Sequence, residues 1–202
     1  ASDAILTMDP RLTLAILPNT PFARETAEAA LARGFEIIVH MPLEAEADSN
    51  AFPGQLTTAM DATTLEEHVN DAFGDVPGAS GMNNHTGSKF TADGAAMKRL
   101  LLALKSRGLY FIDSRTTAET VAETLARELQ VPVARRAVFL DNEPDPDYIR
   151  QQVAGLAESA RNEGAAVGIC HFRSTTAAML PEIVRLLETN GVTLVHASEI
   201  VQ

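Results

Sequence analysis

The stretch PFARETAEAALARGFEIIVHMPLE, residues 21–44, sets out the repeating unit of this chain. Pro21–Arg33 is dense in Ala and Glu, which favour helix, and Gly34 is the residue type that most readily ends one. The apolar run Phe35–Val39 is short and rich in β-branched residues, so it reads as a buried strand. It ends in a polar cluster, His40-Met41-Pro42-Leu43-Glu44.

The same order recurs on both sides. Leu12–Leu17 reads as a strand stopped by Pro18. Thr64-Leu65-Glu66-Glu67 has capping-box spacing and predicts the start of a helix that holds His68. Ala79–Asn84 leads into a second cluster, Asn83-Asn84-His85-Thr86-Gly87. Met97, Leu100, Leu101 and Leu104 mark one face of a helix closed by Gly108, and Leu109–Ile112 is a strand ending at Asp113. Val121, Leu125 and Leu129 mark the next helix, and Ala137–Leu140 a strand ending at Asp141. Ile149, Val153 and Leu156 mark another helix, and Ala165–Ile169 a strand ending at Cys170-His171. Leu180, Ile183, Val184 and Leu187 mark the last long helix, and Thr193–Ala197 the last strand.

Seven strands alternating with six helices predict a parallel sheet covered by helices, in one domain spanning residues 1–202. In such folds the C-terminal strand ends face the binding crevice. Residues 41–63 are the longest stretch without periodicity, and a connection that long in a compact domain is usually functional or mobile.

Bulk chemistry narrows the function. A net charge of −11, with no cluster of Lys and Arg, disfavours a nucleic-acid partner. Cys170 is alone, which excludes an intramolecular disulfide and a cysteine-based zinc knuckle. No apolar run approaches the ~18 residues of a membrane span, so none is expected in this chain.

Each strand-end cluster supports two readings. His40 and Glu44 have the donor types of a divalent-metal site, or are a backbone-bonded histidine and a solvated acid. His85 is the one residue in its cluster that a βα turn does not need, and it suits a ligand or an acid–base group. Asp113 lies close to Arg115, which would hold it ionised for a site role, but Asp113 and Ser114 also suit a helix N-cap. Asp141 is likewise a cap or a site carboxylate. Successive strand residues face opposite ways, so Cys170 is expected in the core and His171 in the crevice. Phe139 and Phe172 read as core or rim, and His68 and His196 as structural.

Taken in order, ILP at 16–18, HMPLE at 40–44, GMNNHTGS at 81–88, FIDSRT at 111–116, VFLDN at 138–142 and GICH at 168–171 resemble the divergent polysaccharide deacetylase family, a branch of the carbohydrate deacetylase superfamily. The resemblance covers nearly the whole chain. It implies a distorted (β/α) barrel of about seven strands and a metal-dependent hydrolase acting on an acetylated envelope glycan, with a periplasmic or cell-envelope location. The alternative is a catalytically inactive relative that binds glycan or a protein partner.

In mainstream members an aspartate pair on the first strand and an H-x-x-x-H segment bind the metal, and a late histidine assists as acid. His40 matches the first histidine of that segment, and Glu44 stands where the second would be. The resemblance therefore implies His40, Glu44 and His85 as ligands of a divalent ion, zinc above all. Asp113 and His171 become the catalytic pair, with Asn84, Arg115 and Asp141 contacting substrate. The aspartate pair would lie upstream of Ala1, so the first strand is expected to be missing and the barrel open beside Leu12–Leu17.

Overall fold

The computed structural model describes residues 8–46 and 52–202. Six strands run parallel in the order β1 (Thr13–Ile16), β2 (Glu36–Leu43), β3 (Gly81–Thr86), β4 (Tyr110–Asp113), β5 (Val133–Phe139) and β6 (Val167–Ile169). Seven helices connect or follow them: α1 (Ala23–Leu31), α2 (Ala62–Asp75), α3 (Ser88–Ala92), α4 (Gly94–Lys105), α5 (Ala122–Leu129), α6 (Pro146–Glu163) and α7 (Ser174–Thr189). The sheet curls into a half-barrel with the helices outside. Among the described residues, none of these helices is long and apolar enough to cross a membrane.

The two faces of β2 show why these residues form this layer. Ile37, Val39, Met41 and Leu43 point outward into a large apolar core with Leu65, Val69, Leu100 and Leu104 of the helices. Ile38 points the other way, to pack with Tyr110, Ile112 and Ala197 inside the curl. The period-2 alternation of a strand thus leaves His40, two residues after Ile38, on the inner face. A second apolar cluster joins α6 and α7 through Ile149, Val153, Met179, Leu180 and Ile183.

Three sequence expectations are corrected. The helix holding His68 starts earlier than Thr64: the Asp61 carboxylate caps it, accepting from the Thr64 amide at 2.8 Å. An additional short helix, α3, follows directly on Gly87. The seventh strand is not one. Residues 193–197 carry no ladder, and a 3-10 turn, Ala197–Glu199, follows.

The C-terminal segment instead passes beneath the starts of the strands. The Ala197 amide donates to Thr13 Oγ1 at 2.9 Å, and the Ser198 amide to Glu36 Oε1 at 3.1 Å. Tyr110 Oη donates to the same Glu36 oxygen at 2.6 Å. Side chains at the strand starts thus hold the amides of Ala197 and Ser198 in place of a ladder. Among the described residues β1 pairs on one side only, with β2, and β6 pairs only with β5.

Candidate functional site

Left-handed turns shape the C-terminal end of the sheet. Thr86 has φ +56° and Arg115 φ +48°, conformations that a β-branched or long side chain adopts only under constraint. The constraint is Asn84. Its side-chain carbonyl accepts from the Ser114 amide at 2.8 Å, and its Nδ2 donates to the Thr86 carbonyl at 2.7 Å. Asn84 is buried and clamps the ends of β3 and β4 together, so its amide faces those turns rather than a ligand. Thr116 Oγ1 adds a bond to the Thr86 carbonyl at 3.0 Å.

Inside the rim two histidines meet. His85 Nδ1 lies 3.0 Å from His40 Nε2, with ring centroids 4.8 Å apart in an edge-on arrangement. His40 Nδ1 lies 2.8 Å from Asn83 Oδ1, so Nδ1 is the protonated nitrogen and Nε2 turns its lone pair toward His85. Asn83, which the sequence reading left unassigned, fixes this tautomer. Burial pushes the His40 pKa down to about 4, and the charges of His85 and His171 add to that effect. His40 is therefore a neutral imidazole near pH 7, the state in which it can donate to a metal.

Glu44 does not join them. Its backbone amide is tied to the Leu56 carbonyl at 2.9 Å, and its carboxylate takes the Thr58 amide at 2.8 Å and Lys89 Nζ at 2.6 Å. The Lys89 bond, foremost, holds its carboxyl below the usual range. Among the described residues no three His, Cys, Asp or Glu side chains converge as a metal set. The fit to a divalent ion is partial: two imidazole nitrogens are in place, and a third protein donor is not among the described residues.

Asp113 lies outside this pair. Its oxygens accept from the Arg115 amide and from Thr120 Oγ1, each at 2.8 Å, so it braces the turn into α5 as a cap does. Burial pushes its carboxyl up, against those two hydrogen bonds.

The carboxylate that meets His171 is Asp141. Asp141 Oδ1 lies 3.3 Å from His171 Nδ1, both Asp141 oxygens accept from the His171 amide at 3.1 Å, and Thr176 Oγ1 donates to Oδ2 at 2.7 Å. Asp141 is fully buried, whereas the His171 side chain is 49% exposed. The sequence expected Asp141 at the substrate and Asp113 beside His171; the geometry exchanges these partners. Phe139 lies against His171 at 5.0 Å, and Phe172 is 58% exposed, so it is rim rather than core. Phe52 stands edge-on to His85 at 4.7 Å. Cys170 packs against the second core cluster, and burial pushes its thiol up to about 12, an inert state.

The sequence profile described as divergent polysaccharide deacetylase matches residues 1–201. The chain belongs to the divergent polysaccharide deacetylase family. A relative from Haemophilus influenzae, titled an uncharacterized protein, is 36% identical over 184 residues, which are 91% of this chain and 66% of that one. The uncharacterized protein YibQ of Escherichia coli is 34% identical over 196 residues, 97% of this chain and 61% of its own length. This chain thus spans about two thirds of those family members or less. The crystal structure of the uncharacterized protein ATU2773 from Agrobacterium tumefaciens superposes with a TM-score of 0.94. The match covers 99% of this chain and 82% of that one at 24% identity, a likeness of fold.

Proposed function

We propose that this family member is the barrel of a metal-dependent hydrolase that removes acetyl groups from an envelope glycan, working in the periplasm or cell envelope. The observation that carries the reading is the 3.0 Å approach of His85 Nδ1 to His40 Nε2 on the same rim as the Asp141-held His171. His40 and His85 supply two of the three protein donors that a hydrolytic zinc site uses. A bound divalent ion would lower the pKa of a water and polarise the acetyl carbonyl.

The chain's own residues supply the rest. Asn83 keeps the His40 lone pair on Nε2, the nitrogen that would bind once its 3.0 Å contact with His85 opens. Asp141 accepts from His171 Nδ1, which leaves the exposed Nε2 to carry a proton to or from the reacting group. Phe52 and Phe172, both partly exposed, offer flat apolar faces on which a sugar ring can lie.

Glu44 supports a second reading. With its carboxylate held by Thr58 and Lys89, the chain is a relative that binds glycan without cleaving it. Zinc titration and acetate release, measured on protein extended to the length of its relatives, separate the two. Zinc uptake at about one ion per chain, together with acetate release from an acetylated glycan, supports the hydrolase. Glycan binding with neither supports the second reading.

A further inference from the structure

A cleft of about 340 Å³ lies beside the histidine site, lined by Arg115, Thr116, Thr117, Ala118, Arg136 and Ala137. Two arginines line it, in a protein with 27 acidic and 16 basic side chains. Arg11, Arg127, Arg135 and Arg150 pair with carboxylates, whereas Arg99, Arg161 and Arg173 reach backbone carbonyls. Among the described residues the Arg115 guanidinium makes no hydrogen bond and no ion pair. Arg136 is tethered only to carbonyls, donating from Nε to Ser114 at 2.7 Å and from Nη2 to Arg115 at 2.9 Å. The nearby Asp113 carboxylate is occupied by the Arg115 amide and Thr120. Burial, then the like charge of Arg115, holds the Arg136 guanidinium below its ordinary value, while the Asp113 carboxylate acts the other way, and an anion in the cleft would add to that compensation.

The cleft is coupled to the histidines by short links. Ser114, whose carbonyl anchors Arg136, accepts at Oγ from Asn83 Nδ2 at 3.3 Å, and Asn83 holds His40. On the other side Arg136 lies over the Phe139 ring at 5.4 Å, and Phe139 lies against His171.

We infer that the Arg115–Arg136 cleft is an oxyanion subsite, so that the glycan acted on carries a negatively charged substituent, a carboxylate or a phosphate, next to its acetylated unit. The substrate part of this inference rests on the reading under Proposed function; the anion-binding part does not. Guanidinium forks bind both oxyanions in two-point fashion, and Thr116 and Thr117 line the cleft beside the two arginines.

The test titrates glucuronate, inorganic phosphate and neutral glucose into the protein, following Arg115 and Arg136 Nε–H signals by NMR and heats by calorimetry. Glucuronate or phosphate should shift both signals and bind at least tenfold more tightly than glucose. Preference for glucuronate assigns a carboxylate substituent, and preference for phosphate a phosphate substituent. Arg115→Gln should weaken the preferred anion about tenfold with an unchanged melting temperature, since that guanidinium holds nothing else. Neither anion bettering glucose, or shifts confined to other residues, would overturn the subsite. If His40→Ala abolishes acetate release while anion binding persists, hydrolysis and subsite both stand. Anion binding without any acetate release from the wild-type protein extended to the length of its relatives would sink the hydrolase reading and leave the subsite.

Discussion

Asp141 holds His171 through both its backbone amide, at 3.1 Å, and its ring nitrogen, at 3.3 Å, from a fully buried position. One carboxylate therefore fixes the path of the chain after β6 and the tautomer of the imidazole that the chain presents. This double duty makes Asp141 a positioning residue whose loss is felt in fold and chemistry alike.

Replacing Asp141 separates the two duties. Asp141→Ala leaves the His171 amide and Thr176 hydroxyl without their acceptor and should cost about 1–3 kcal/mol, read as a lower urea midpoint. Asp141→Asn keeps the shape but can offer an N–H to Nδ1, and should lower acetate release roughly 10–100-fold at near-normal zinc uptake. Unchanged turnover in Asp141→Asn would remove His171 from the chemistry.

The two histidine clusters should respond differently. His40→Ala is expected to abolish zinc uptake, since it removes the one nitrogen held ready by Asn83. His171→Ala should keep uptake and lose turnover. Metal content by elemental analysis, set beside acetate release, checks both, and equal zinc in His40→Ala and wild type contradicts the ligand assignment.

His40 also gives a pH dependence. Unfolded, it takes a proton near pH 6.5; folded, burial delays this to about 4. The unfolded chain binds more protons across that window, so this stabilisation is complete above pH 6.5 and is lost as pH falls toward 4. Its size is at most about 3 kcal/mol, an upper bound because part of the ring faces the cavity. Urea midpoints measured from pH 7.5 to 4.5 should fall less steeply in His40→Gln than in wild type.

Gly87 should tolerate no side chain. Its φ is +100°, and a Cβ there would come within 2.7 Å of Leu43 Cβ. Gly87→Ala should destabilise by more than about 1 kcal/mol, visible as a melting temperature several degrees lower. Wild-type melting would show that the turn after His85 is not held as described.

Asn84 is the remaining structural test. Asn84→Ala removes the acceptor of the Ser114 amide and the donor to the Thr86 carbonyl, at an expected cost of about 1–3 kcal/mol. Leucine of similar size should do no better, because the loss is of polar partners rather than of volume.

The amino-acid sequence alone determined the β/α alternation, the polar strand ends and the family, because these rest on local signals. Apolar runs such as Phe35–Val39, helix faces such as Met97–Leu104 and stops such as Gly34 are read within a few residues. Thr193–Ala197 looked like a strand on the same grounds. Whether it pairs depends on what stands opposite, and the segment ends on side chains: Thr13 takes the Ala197 amide and Glu36 that of Ser198. Only tertiary structure decided the partnerships. His40 and His85 are 45 residues apart and meet because β2 and β3 are neighbours in register. Asp141 rather than Asp113 reaches His171 because β5 and β6 are adjacent, whereas Asp113, at the end of β4, is spent on its own turn. Spacing along a chain fixes which face a residue takes. Which residues touch across strands is set by sheet order and the curl of the sheet, and neither is written locally.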